Sequence, residues 1–321
     1  MSLRHVVVPL DGSSLAESAI PVACRIAQGA DTAITLLHVL EQRPPATVHG
    51  ERHLADAAGA ANYLNTLAAR IGVPGMRVTT HVHDNAVADV ARSLAEHATE
   101  FQASLVVMTA HGRGGLKRWV YGSIAQQVVA ANPCPLLVVP CTQGVAHEPM
   151  HPRHVILPLD GDAAHEAALP LARDLAAAYA APIHLLTVVP TWTQVGGLRA
   201  AVARISPVAL AAALDLETDA AGEYLRSVRT TWLAPAGTGD NNPDLVERGD
   251  PVTMILSMAK RLEPALVVMA THRKVGVASF WSGSVAPRVA ARLECPVAMV
   301  SIADPVPRAQ ASPRQSSPVG T

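Results

Sequence analysis

Residues 103–123 read Ala-Ser-Leu-Val-Val-Met-Thr-Ala-His-Gly-Arg-Gly-Gly-Leu-Lys-Arg-Trp-Val-Tyr-Gly-Ser. An apolar, strand-like run (105–108) enters a basic, glycine-containing stretch that closes on Gly122-Ser123, where helix-like sequence begins. A strand–loop–helix of this kind turns backbone N–H groups and a helix N-terminus toward one point, which suits a phosphate. Arg113 and Lys117 supply cationic donors for phosphate oxygens. Gly112 and Gly122 let a ligand approach the backbone closely. Ser123 can cap the helix and donate its hydroxyl. Far away in sequence, Asp11 can accept hydrogen bonds from an adenine amine or a ribose hydroxyl. His111 has no Ser or Cys nucleophile with it, so a loop-positioning role is expected. The histidines show no HExxH or similar spacing, so no metal site is expected.

The elements that must position these residues alternate. Residues 6–9 form a short continuous apolar run, as for a strand covered on both faces. Ser14-Leu-Ala-Glu17 reads as a capping box opening a helix to about residue 28. Strands are predicted at 34–39, 77–83, 105–108 and 136–140, and helices at about 52–70, 86–99 and 123–131. This β/α alternation predicts a doubly wound parallel sheet of five strands in the order 3-2-1-4-5. Such an order reverses between strands 1 and 4 and opens a crevice at their C-terminal ends. Asp11 and the 109–123 segment both fall there.

The chain repeats itself. Arg-His-Val-Val-Val-Pro-Leu-Asp-Gly at 4–12 returns as Arg-His-Val-Ile-Leu-Pro-Leu-Asp-Gly at 153–161, identical at seven of nine positions with an offset of 149. Gly122-Ser123 returns as Gly283-Ser284, and Cys134-Pro135 as Cys295-Pro296, with an offset of 161. The second copy therefore carries 12 extra residues, assigned to the loop-like 234–243. Two domains are expected, 1–141 and 152–303, with a linker at 141–152 and a disordered tail at 304–321.

Bulk composition sets limits. The 321 residues are 50% hydrophobic and only 3% aromatic, so Ala, Val and Leu dominate the core. A net charge of -1 gives no reason to expect nucleic acid or a membrane surface as partner. No apolar stretch approaches the roughly 20 residues that cross a bilayer. The first residues lack a signal-peptide shape, so a cytoplasmic location is expected. The four cysteines have no CxxC pair, and buried reduced thiols are expected at Cys134 and Cys295.

Val-Val-Pro-Leu-Asp-Gly-Ser near the start, Met-Thr-Ala-His-Gly-Arg-Gly-Gly-Leu, and Gly-Ser followed by Pro-Cys-Pro-Leu-Leu-Val-Val-Pro together resemble the universal stress protein family. The likeness covers both halves, as in a tandem protein of that family. Its ATP-binding members carry Gly, two residues, Gly, nine residues, then Gly and Ser or Thr. Here the later positions fall on Gly112 and Gly122-Ser123, and Thr109 replaces the first glycine. The resemblance implies that Asp11 contacts the nucleoside and that Pro9, Leu10, Val39 and Met108 line its pocket, beside Thr109. It implies that Gly112, Arg113, Gly122, Ser123 and Ile124 hold the phosphates. In the second copy Asp160, Gly283 and Ser284 persist as a weaker site. Ala270 and Arg273 replace its first two glycines, and Arg273 could fill the pocket and pair with Asp160.

The expected function is ATP binding, with or without Mg, mainly in the first domain, by a regulatory protein of stress responses. It is not an enzyme; slow hydrolysis is the most its residues suggest, for no Walker lysine stands in a GxxxxGK[ST] loop. The alternatives are a nucleotide-free interaction scaffold with both pockets degenerate, and a cyclic AMP binder. The resemblance also implies edge pairing between 136–140 and 296–301, an intramolecular pseudo-dimer, and a further homodimer.

Overall fold

The computed structural model describes residues 3–71, 75–112, 119–120, 124, 127–128, 134–141, 151–191, 207–233, 244–272 and 285–302. Among them thirteen strands occur: β1 (His5–Pro9), β2 (Ala33–Glu41), β3 (Thr47–Val48), β4 (Glu51–Arg52), β5 (Val78–Val87), β6 (Leu105–Gly112), β7 (Trp119–Val120), β8 (Leu136–Cys141), β9 (His154–Pro158), β10 (Ile183–Val189), β11 (Leu245–Arg248), β12 (Ala265–His272) and β13 (Val297–Ile302). Ten of them form one path, β11-β10-β9-β12-β13-β8-β6-β1-β2-β5. Pairs within each half are parallel, as helical crossovers require, save for β7 on β6 and the separate β3–β4 hairpin. Each half thus reads third, second, first, fourth, fifth across the sheet.

Continuous burial explains the strand sequences. Val6, Val7 and Val8 are at most 1% exposed, so β1 meets apolar side chains on both faces. One layer joins Val6, Ile26, Leu64 and Leu137 to Leu157, Leu175 and Leu225, and the other joins Val7, Leu94 and Val138 to Ile156, Ile255 and Val289. Both layers run through both halves. They can do so because β8 and β13 pair antiparallel, Val297 against Val138, Ala298 against Leu137 and Met299 against Leu136. Leu137 and Ala298 are equivalent in the repeat, so the pairing has two-fold character about that pair. It also joins two sheet edges that would otherwise stand open.

The helices differ from expectation in their starts. Ser13, not Ser14, is the N-cap of the first short helix, Ser14–Glu17: its side chain accepts from Ala16 N at 3.1 Å. Ser14 instead gives its N–H and hydroxyl to Glu51, at 2.9 and 2.6 Å. A second helix, Ile20–Ala30, follows as a separate element. The helix expected from residue 52 begins at Ala57, because Asp56 accepts from Gly59 N at 2.7 Å and so ends the loop there. Strand β6 continues past residue 108 to Gly112, where His111 and Gly112 pair with Val120 and Trp119. The stretch read as open loop therefore begins as a β-ladder. Most of the helix expected at 123–131, and the tail at 304–321, lie outside the described residues.

Candidate functional site

The crevice is visible in the hydrogen-bond register. Pairing of β1 with β6 stops at Val7 and Val106. Strand β1 nevertheless stays on β2 as far as Pro9 and Leu37, and β6 stays on β8 as far as His111 and Cys141. The two central strands thus part at their C-terminal ends, where the strand order reverses. The second half does the same: β9 leaves β12 after Ile156 and Val267, while β10 and β13 remain paired with them further on.

Asp11 stands just beyond the end of β1. Leu10 N–H still donates to Leu37 O at 2.8 Å, which fixes the strand end. Gly12 then turns with φ +91°. A Cβ there would lie 2.8 Å from Leu54 Cγ, so glycine is required on two counts. Asp11 Oδ1 accepts from Ser13 N at 2.9 Å and from Ser13 Oγ at 2.6 Å. Its other oxygen lies 3.6 Å from His49 Nε2. The Asp11 side chain is one-third exposed.

Sequence reasoning passed over the groups that support this turn. His38, buried on β2, lies with Nδ1 2.7 Å from Leu10 O. Burial lowers its pKa below the ordinary histidine value, against the opposing pull of the Leu10 and Leu54 carbonyls. The neutral ring therefore donates Nδ1–H to Leu10 O. A polar residue inside the apolar run 34–39 was the available signal. His49, Glu51 and Leu54 gave none, because their contacts with Asp11, Ser14 and Gly12 are made only by folding.

The proposed lining divides. Pro9, Leu10 and Asp11 end β1. Val39, two residues beyond the Leu37 that pairs with Pro9, ends up buried beside His83 of β5. Met108 and Thr109 follow the parting of β6 from β1 and pair with Val138 and Val139. Thr109 is only 5% exposed and Met108 is partly exposed. Gly112 is held in extended pairing with Trp119. Ile124 is helical and packs against the core layer that contains Val7 and Leu136. Arg113, Gly122 and Ser123 lie outside the described residues, as do Arg273, Gly283 and Ser284.

The second copy repeats the turn with different chemistry. Leu159 N donates to Leu186 O at 2.8 Å, Gly161 has φ +86°, and Asp160 Oδ1 accepts from Asp162 N at 3.1 Å. Asp162 is the cap here, accepting from Ala164 N at 2.9 Å. Where Ser13 gives a hydroxyl to Asp11, Asp160 receives His165 Nδ1–H at 2.7 Å. Burial acts to raise the Asp160 carboxyl, but the His165 hydrogen bond and the Asp162 N–H outweigh it and leave its pKa below the usual value. The same hydrogen bond raises the pKa of His165. The described partner of Asp160 is thus His165, whose ring also meets His272 at 5.2 Å between centroids. Among the described residues no three His, Cys, Asp or Glu side chains form a group able to hold a metal ion, and no helix is long and apolar enough to cross a membrane.

Two doubly wound halves, each with an Asp-Gly turn at the strand reversal, define a duplicated α/β protein. The profile of the universal stress protein family matches residues 2–140 and 151–301, and the chain belongs to that family. It is 27% identical to a universal stress protein of Mycolicibacterium smegmatis, over 92% of this chain and 96% of that one. Among solved structures it is similar to a universal stress protein from Archaeoglobus fulgidus, with a TM-score of 0.60 and 14% identity over 94% of this chain and 98% of that one. A functionally unknown protein from Pseudomonas aeruginosa has a TM-score of 0.63 and 18% identity, covering 94% of this chain and 93% of that one.

Proposed function

We propose that the chain binds an adenine nucleotide, ATP by preference, mainly in its first half, and acts by binding rather than by catalysis in a cytoplasmic stress response. The observation that carries this reading is the parting of β1 from β6 beyond Val7 and Val106, with Asp11 at the mouth of the gap. Asp11 can take the nucleoside, and the glycine and basic residues that follow β6 in sequence can take the phosphates, with Mg as counter-ion. The second half keeps the crevice, but the sequence puts Ala270 and Arg273 where the family's phosphate-binding glycines stand, which favours occupancy of the first. Because β8 and β13 already pair within the chain, a homodimer would have to use another surface.

Calorimetric titration of ATP into the full chain, freed of endogenous nucleotide and repeated with Mg and with cyclic AMP, tests this. One site per chain is expected, lost in Gly122→Glu and kept in Gly283→Glu. Two equal sites would refute the assignment to the first half. Tighter binding of cyclic AMP than of ATP would replace the ligand. No heat and no thermal shift with any of them would leave a nucleotide-free scaffold.

A further inference from the structure

The segment between β2 and the helix Ala57–Ile71 packs on the turn that follows β1 and is tied to that turn and to the end of β2. Its tip is the two-residue turn His49-Gly50, with φ +51° and +84°, which joins β3 to β4. Positive φ at both positions is the type I′ pattern that closes a tight hairpin. The hairpin places His49 Nε2 3.6 Å from Asp11 Oδ2. Next to it, Glu51 Oε1 accepts the N–H and hydroxyl of Ser14, at 2.9 and 2.6 Å, at the start of the helix after β1. Leu54 lies over Gly12, where a Cβ would stand 2.8 Å from its Cγ and force the leucine to shift. On the β2 side, His53 Nε2 is 3.3 Å from Glu41 Oε1.

Resting on the nucleotide reading above, we propose that this segment is a strap that competes with a nucleoside for Asp11 and must yield it for the nucleoside to bind there. The physical basis is competition for one carboxylate. Ser13 saturates Oδ1 of Asp11, and His49 stands against Oδ2. A nucleoside donor reaching Oδ2 of Asp11 competes with the histidine for that oxygen. Glu51 supplies the latch, since its two hydrogen bonds hold the hairpin against the crevice whatever His49 does. A ligand that binds only the open form loses affinity in proportion to the closed fraction. His49 faces Asp11 itself, so the competition applies to any ligand that uses Asp11, whatever its number of phosphates.

The test removes the latch without touching Asp11. Glu51→Ala and His49→Ala are made in the full chain, and ATP, AMP and adenosine are titrated into each. Limited proteolysis without ligand reports cleavage within 43–56. Opening should raise affinity for all three ligands by roughly threefold to tenfold, the discount that exposure imposes on such contacts keeping the effect modest. Glu51→Ala should also speed cleavage of the strap. Unchanged or weaker affinity in both variants overturns the strap. Unchanged cleavage in Glu51→Ala overturns the latch, whatever the nucleotide does. Faster cleavage with no binding of any nucleotide to wild type or variant overturns the nucleotide reading instead, and the strap's role with it.

Discussion

Gly29 and Ala178 meet backbone to backbone where the helices Ile20–Ala30 and Leu169–Tyr179 cross. A Cβ on Gly29 would stand 2.5 Å from the carbonyl oxygen of Ala178 and 2.6 Å from its Cα. The two residues are equivalent in the repeat, at the same offset of 149 that relates the two Asp-Gly turns. The copies therefore cross at corresponding points here, as they do at Leu137 and Ala298. Gly29→Ala should destabilise the chain. Helix propensity favours the substitution by about 1 kcal/mol. The clash is with backbone, which no rotamer change relieves, and overpacking of this kind costs about 1–3 kcal/mol. The clash wins. Thermal unfolding should show a lower midpoint, and a midpoint equal to or above wild type would mean that the helices separate at no cost.

Cys134 and Cys295 occupy equivalent places ahead of β8 and β13, each at most 9% exposed. Burial pushes both thiols up to about 12. At pH 8 the thiolate fraction is then about one in ten thousand, and the thiolate is the reactive form. Iodoacetamide should leave both untouched in the native chain and label both in denaturant. Peptide mass mapping reads this directly. Labelling of either within minutes in the folded protein would contradict the burial.

Much of this architecture is written in local pattern. The run at 6–9 is a strand because nothing in it could face water, the mostly apolar run at 34–39 follows it into the sheet, and the recurrence of Pro-Leu-Asp-Gly marks both crevices. Other features needed a distant residue. Ser13 and Ser14 are equally good caps by sequence; Glu51, 37 residues away, takes Ser14 and leaves Ser13 to the helix. Strand β6 runs through Thr109 to Gly112 because Trp119-Val120 folds back on it, where glycine alone read as loop. His165 escaped notice as the partner of Asp160 because a five-residue separation is meaningful only once the turn at Gly161 is formed.

The Asp160–His165 pair sets a pH window. His165 is raised by its hydrogen bond to Asp160, so its contribution is complete below the unfolded histidine pKa of about 6.5 and fades as pH climbs through the higher folded value. Asp160 is lowered, burial being outweighed by that hydrogen bond, so its contribution is present above about pH 4 and fades as pH falls through the folded value. The pair is therefore strongest from roughly pH 4 to 6. The Asp160 side chain is 62% exposed, which keeps the effect on stability small. NMR titration is the sharper readout. The His165 midpoint should fall in Asp160→Asn. A midpoint indifferent to that substitution would show that the contact does not persist in solution.

Ser13 ties the first crevice to the helix behind it. Its side chain is fully buried, accepts from Ala16 N at 3.1 Å and gives its proton to Asp11 Oδ1 at 2.6 Å. Ser13→Ala removes the cap and one of the two donors to Oδ1, and should cost about 1 kcal/mol, in the usual range for a lost N-cap. Ser13→Asp is the more telling variant, because aspartate is as good a cap as serine. It is also what the second copy uses, at Asp162. There His165 donates to the neighbouring Asp160 and offsets the second carboxylate. The corresponding residue in the first copy is Ala16, which carries no such donor. Ser13→Asp should therefore set two carboxylates side by side and lose at least as much stability at pH 7 as Ser13→Ala, with part of the loss recovered at acid pH as one of them takes a proton. Urea midpoints of the three proteins at pH 7 and pH 5 decide it. If Ser13→Asp matches wild type at pH 7, capping alone governs this turn and the hydroxyl bridge to Asp11 contributes nothing.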